Sequence, residues 1–236
     1  MNKNILIESN ELFGGNYNQS RLLRVCKLEQ IFGHDWFNGK SILELGCGYG
    51  NVGLYFKDLG ANVTFADARQ EFLDVVKSKD STANTLLIDQ DKEWDLGKQF
   101  DLVIHWGVLY NLNNWQQDLQ CALKHSKFLS LESAVNRYAY DIEFKIVDFD
   151  YGKEHIGCFN NTGTLPSISK IENELIGNIK RYDDADLNSD FFQYTLICND
   201  NYKVIAKDIK SWNDKFVYGG RKFWLINTQQ EKSNIQ

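Results

Sequence analysis

The run Ile42-Leu43-Glu44-Leu45-Gly46-Cys47-Gly48-Tyr49-Gly50 constrains this chain more than any other stretch. It reads as a buried strand that carries a carboxylate into a turn of alternating glycines, with a helical pattern from Asn51 to Leu59 directly behind. A backbone without Cβ atoms at Gly46, Gly48 and Gly50 turns sharply and lets a ligand lie against the main chain. Glu44, two residues before the first glycine, suits a ligand that presents an ammonium group and hydroxyls.

The segment resembles motif I of the class I S-adenosylmethionine-dependent methyltransferases, Glu/Asp-x-Gly-x-Gly-x-Gly. A rival of the same shape is a dinucleotide fingerprint, and with it an NAD-dependent oxidoreductase. Gly48-Tyr49-Gly50-Asn51-Val52-Gly53 is a literal G-x-G-x-x-G, and Asp67 lies 19 residues beyond Gly48, close to where such a motif places its ribose acid. Register opposes that rival. Its first glycine should follow the hydrophobic strand directly, whereas Gly46-Cys47 precede Gly48, and a pyrophosphate gains nothing from the carboxylate of Glu44. The resemblance implies an α/β fold: a three-layer sandwich around a mostly parallel seven-stranded sheet, its last strand pair antiparallel, in the Rossmann-like methyltransferase arrangement. It also implies S-adenosylmethionine as cofactor.

The alternation along the chain points the same way. A helix is expected over Ser20–Phe32, where Leu22, Leu23, Val25, Cys26, Leu28 and Ile31 form an apolar stripe. Strands are expected at Ser41–Leu45, Asn62–Ala66, Thr85–Ile88, Phe100–Trp106 and Phe128–Glu132, with helices at Gln70–Lys77 and Trp115–His125. This βαβ rhythm argues for a parallel sheet covered on both faces. After Arg137 the sequence is aromatic-rich and irregular; a helix starts at Pro166-Ser167, and strand-like runs at Gln193–Cys198 and Lys222–Ile226 are expected to finish the sheet. The 236 residues are expected to form a single methyltransferase domain, with an N-terminal helical cap over about 1–38 and an acceptor lid over about 137–165.

Composition narrows the class. A net charge of −6 gives no reason to expect a phosphate-backbone partner. Five cysteines without a C-x-x-C pair read as reduced thiols in a cytoplasmic protein, not as a zinc site or disulfide framework. No long apolar stretch suggests a membrane span, and no metal is expected.

Ligands of open α/β sheets bind outside the carboxyl ends of the strands, and polar residues fall at those ends: Glu44, Asp67, Asp89 and His105. The resemblance places Glu44 near the methionine ammonium and Gly46, Cys47, Gly48 and Gly50 against the cofactor. It gives Asp67 the ribose hydroxyls, with Ala68 beside it, and Asp89 the adenine amino group, with Gln90 stacked nearby. His105 and Trp106 would flank the methionine portion. Asp91, Glu93 and Asp95 read as a solvated acidic turn without a role.

The protein needs chiefly to align an acceptor with the activated methyl group, and an acceptor hydroxyl also needs a base. His105, the only histidine at a strand's carboxyl end, is the first candidate, and Glu132 at the end of the fifth strand is the second. Tyr110, Arg137 and Asn160 are candidates to contact the acceptor. Asn16 to Arg21 is expected to close over the cofactor. Asn/Asp-Pro-Pro-Tyr is missing after the fourth strand, and Pro166 is the only proline, so there is no Pro-Cys nucleophile. The expected reaction is methylation of a small or carbohydrate-like acceptor at oxygen. The alternative acceptor is tRNA, because similar Gly-Val-Leu-Tyr ends to the fourth strand occur in enzymes that modify its wobble uridines.

Overall fold

A computed structural model describes residues 3–9, 13–14, 16–136, 144–147, 158–182, 195–198, 203–205 and 216–231. The chain builds β1 (Ser41–Leu45), α2 (Asn51–Asp58), β2 (Asn62–Asp67), α3 (Gln70–Lys79) and β3 (Asn84–Leu87) in strict alternation after α1 (Asn16–Phe32). β4 (Phe100–Trp106), α4 (Trp115–Lys124) and β5 (Ser126–Asn136) follow. All pairings among these five strands are parallel, in the order β3-β2-β1-β4-β5.

The remaining elements are β6 (Phe144–Val147), β7 (Thr162–Leu165), α5 (Ile168–Glu174), β8 (Asn178–Tyr182), β9 (Thr195–Cys198), β10 (Lys203–Ile205) and β11 (Phe216–Asn227). β11 lies antiparallel between β5 and β8, which completes a mostly parallel seven-stranded sheet. One expectation is corrected here. The sheet's edge is β8, where Ile179 is buried between exposed Asn178 and Lys180, while the run ending at Cys198 pairs with the start of β11 instead. β9 opens a second set of pairings, β9-β10-β6-β7. The stretch read as an irregular lid therefore contributes β6 and β7. Their pairing is non-local, so no short sequence window reveals it.

Two apolar cores line the sheet, and strand alternation assigns each residue to one of them. Ile42, Phe65, Leu102, Ile104, Phe223 and Leu225 face α1, α2 and α3, packing on Val25, Leu28, Val52, Tyr55, Phe56, Leu73 and Val76. Leu43, Leu45, Val103, Leu129, Leu131, Trp224 and Ile226 face α4 and α5, packing on Trp115, Leu119, Ala122, Leu123, Ile171 and Leu175. The inward residues of α4 recur at helical spacing, Trp115, Asp118, Leu119, Ala122 and Leu123. Ser167 caps α5 by accepting the Lys170 N–H at 3.2 Å.

Candidate functional site

Strand order reverses between β1 and β4, and open α/β sheets hold their ligands in the crevice outside the carboxyl ends at such a switch point. The glycine turn after β1 forms its floor. Gly46 and Gly48 have φ of 61° and 53°, a region that L side chains avoid. A Cβ on Gly46 would sit 2.1 Å from a Val108 methyl, so the turns after β1 and β4 touch there. A Cβ on Gly48 would meet the Phe13 ring at 2.8 Å. Phe13 also packs against Tyr49 and Phe72, with ring centroids 4.7 and 5.4 Å away. The segment before α1 thus lies across the glycine turn. Arg21, on α1, donates to the Phe13 and Leu6 carbonyls at 2.7 and 3.1 Å.

Two carboxylates brace this turn. Glu44 is buried, and its Oε2 accepts the Gly53 N–H of α2 at 2.9 Å. Burial pushes its carboxyl up to about 8, against the opposing pull of the Gly53 N–H and of Arg21. Asp67 accepts the N–H groups of Gly48 at 2.9 Å and Arg69 at 3.0 Å, and burial also raises its pKa. Ala68 is half-buried beside it. The Cys47 thiol is buried, donates weakly to the Gly48 carbonyl at 3.6 Å and is pushed well up by that burial. Gly50 is the left-handed N-cap of α2.

Asp89 is half-buried, paired with Lys92 at 3.0 Å. Asn160, expected at the acceptor, lies instead at this end of the crevice, donating to Asp91 at 2.8 Å and Asp89 at 3.4 Å. Asp91 is no solvated turn residue. It accepts the N–H groups of Asn113 and Asn114 at 2.6 and 2.9 Å and so holds the start of α4. Gln90 is buried, and its amide donates to Asp118 at 3.1 Å, so it does not present that group to an adenine ring.

His105 requires the largest correction. Alternation along β4 sends it beneath the sheet with Val103, where it is fully buried. Its Nε2 lies 2.6 Å from Asp118, which also accepts from Gln90 and from the Trp94 indole at 2.9 Å. An imidazole enclosed this way does not reach an acceptor as a base; it ties β4 to α4. Trp106 falls on the opposite face, its indole N–H donating to Ser130 at 2.9 Å.

Glu132 is no base either. Its side chain is fully buried and grips two guanidiniums, Arg221 of β11 at 2.7 Å and Arg24 of α1 at 3.1 Å. Burial pushes its carboxyl up, but Arg221 and Arg24 outweigh that and hold it below the ordinary range. Arg221 continues outward and donates to the Tyr110 hydroxyl at 2.8 Å, with its guanidinium 5.1 Å from the ring centre. Tyr110 is half-buried on the turn after β4. Arg137 lies outside the described residues. Sequence reading missed Arg24, Arg221, Asp118 and Phe13.

These residues fit S-adenosylmethionine. A buried carboxyl held near 8 beside Arg21 suits a group that brings its own ammonium. The glycine turn already admits a ring, that of Phe13, against its main chain. Residues 18–162 match the family described as "Methyltransferase domain". Among solved structures, the N-terminal domain of EvdMO1, crystallised in the presence of SAH and D-fucose, aligns with a TM-score of 0.61 at 13% identity, over 91% of this chain and 85% of that one. The plantazolicin methyltransferase BpumL, in complex with SAH, aligns at 0.52 and 14%, over 89% and 84%. Coclaurine N-methyltransferase, bound to N-methylheliamine and SAH, aligns at 0.51 and 15%, over 76% and 58%. No curated protein sequence matches the chain.

Proposed function

Because this chain belongs to the methyltransferase-domain family and is an S-adenosylmethionine-dependent methyltransferase, we propose that it methylates a hydroxyl of a small, sugar-like acceptor. The cofactor supplies the reactive step when bound, since its sulfonium already carries an activated methyl group. The chain's residues bind and orient. Glu44 receives the ammonium, Asp67 the ribose hydroxyls and Asp89 the adenine edge. The main chain of the glycine turn and of Trp106-Gly107 lies along the cofactor. Phe13 and Arg21 exclude water above the turn.

One observation carries the acceptor reading: a polar wall stands beside the end of β4, where Arg221 fixes the Tyr110 hydroxyl. An oxygen held there accepts or donates to an acceptor hydroxyl, whereas a flat apolar wall would favour an aromatic amine. The D-fucose present with the N-terminal domain of EvdMO1 fits the same reading. A cytoplasmic setting belongs to the proposal, supported by Cys26, Cys47 and Cys121, which form no disulfide among the described residues. Among the described residues, no helix is long and apolar enough to cross a membrane. The acidic balance of the chain places tRNA behind small acceptors.

The test is transfer of labelled methyl from S-adenosylmethionine to a panel of monosaccharides, glycosylated small molecules, amines and tRNA. Label on sugar hydroxyls is expected. Label confined to amines or tRNA would overturn the reading.

A further inference from the structure

We propose that Tyr110, held by Arg221, is the group that takes the proton from the acceptor hydroxyl; this rests on the reading of the acceptor as an alcohol. The two residues first suggested for the task are engaged elsewhere. His105 is sealed beneath the sheet against Asp118, and Glu132 is locked between Arg24 and Arg221. Tyr110 lies beyond the carboxyl end of β4, half-buried, three residues after Gly107 in the turn that leaves the strand.

Its environment favours the phenolate. A guanidinium has five N–H donors and no acceptor, so in the 2.8 Å contact the Tyr110 oxygen must accept. A hydrogen bond donated to an oxygen by a cation stabilises the charged form of that oxygen over the neutral form. Arg221 cannot turn away, because its other nitrogen is held by both Glu132 oxygens at 2.7 and 2.9 Å. The negative charge of Glu132 opposes a phenolate, but it is shared with Arg24 at 3.1 Å.

Among the described residues, the other groups near the turn are neutral or engaged elsewhere. β7 packs beneath it so closely that a Cβ on Gly163 would lie 2.5 Å from the Tyr110 carbonyl oxygen, and β7 itself, Thr162–Leu165, carries no ionisable side chain. The Cys158 thiol lies 3.7 Å from Asn111. Asp118 of α4 faces His105, and Asp91 faces Asn113 and Asn114.

In the step itself, the acceptor's O–H bond breaks and its proton bonds to the Tyr110 oxygen. The acceptor oxygen forms its bond to the methyl carbon, and the electron pair of the broken C–S bond stays on sulfur, which leaves as a neutral thioether. Tyr110 then returns the proton to water. No oxidant, reductant or metal is needed.

The test requires no acceptor. Tyrosinate absorbance of the full chain is followed against pH for wild type, Tyr110→Phe and Arg221→Lys. One phenol should ionise at least one pH unit below the ordinary value of about 10. It should vanish in Tyr110→Phe and move upward in Arg221→Lys. If no phenol ionises early, or if the early phenol survives in Tyr110→Phe, the base role is overturned while the alcohol reading stands. If the phenol ionises early but label goes only to amines, the alcohol reading has failed and takes the base role with it. With a hydroxyl acceptor in hand, Tyr110→Phe should lower kcat by about 100-fold or more with KM little changed; an unchanged kcat and pH profile would overturn the proposal.

Discussion

Glu44 is a carboxylate in a place that suits a carboxylate poorly until a cation arrives. It is buried, it has one N–H donor in Gly53, and its pKa stands near 8, so at pH 7 it is largely protonated. An ammonium placed against it restores the charged form, and the proton must go to solvent. Calorimetry with S-adenosylhomocysteine at pH 7, in buffers of different ionisation enthalpy, should therefore register release of close to one proton, falling to none above pH 9. Glu44→Gln should abolish that release and weaken binding by roughly 1.5–3 kcal/mol, the worth of a charge-assisted hydrogen bond. Binding without proton exchange in the wild type would sink this account. Glu44 and Asp67 were legible in the sequence because each acid ends a short apolar strand, and the glycines that follow have little other use. Arg221 was not, because its partners Glu132 and Tyr110 stand 89 and 111 residues away along the chain.

At the scale of elements, the parallel half of the sheet could be read from its alternation of strand and helix, and β1 and β4 begin and end where expected. What escaped was the direction of side chains within a strand. His105 follows Ile104 and precedes Trp106, so whichever face the first residue takes, the next takes the other. Applied to β4, that rule sends His105 to α4 with Val103 and leaves the end of the strand without an imidazole. Asp118 then becomes the knot of that layer, accepting from β4 through His105 and, through Gln90 and Trp94, from the connection that follows β3. Asp118→Ala removes the shared acceptor of three buried donors and should lower unfolding stability in urea by roughly 3–5 kcal/mol. His105→Gln leaves Asp118 with its other two donors and should lose only about 1–2 kcal/mol. Equal, small losses in both would show that the donors find other partners. Of the later strands, β9 falls within the run expected to end at Cys198, whereas β6, β7, β8 and β10 stayed hidden for a related reason. They are short, and apart from the local β9–β10 pair their pairings join segments well separated in the chain, so no local pattern fixes them.

For the molecule as a whole, Glu44 and Glu132, two of the buried acids on the α1–α3 side of the sheet, give opposite responses to pH. The folded pKa of Glu44 lies above the ordinary value of about 4.3. As pH rises, the unfolded chain sheds this proton first, so the associated stability is full below about 4.3 and drains away until about 8. The pKa of Glu132 is lowered by Arg221 and Arg24 despite its burial. Its stabilisation is present above about 4.3 and is lost as pH falls through its folded value. Thermal or urea unfolding of the ligand-free chain between pH 3.5 and 8.5 should separate the two. Glu44→Gln should match wild type at the acid end and exceed it near pH 8 by on the order of 4 kcal/mol. Glu132→Gln should trail wild type by roughly 3–5 kcal/mol at neutral pH, because two buried guanidiniums lose their shared anion, and should converge with it in acid. Saturating S-adenosylhomocysteine should narrow the Glu44 gap by the roughly 1.5–3 kcal/mol of lost binding and leave the Glu132 gap open, if Glu44 receives the ligand's ammonium as proposed. If Glu44→Gln instead runs parallel to wild type across the whole range, its carboxyl ionises normally. The crevice would then hold no site waiting for a cation.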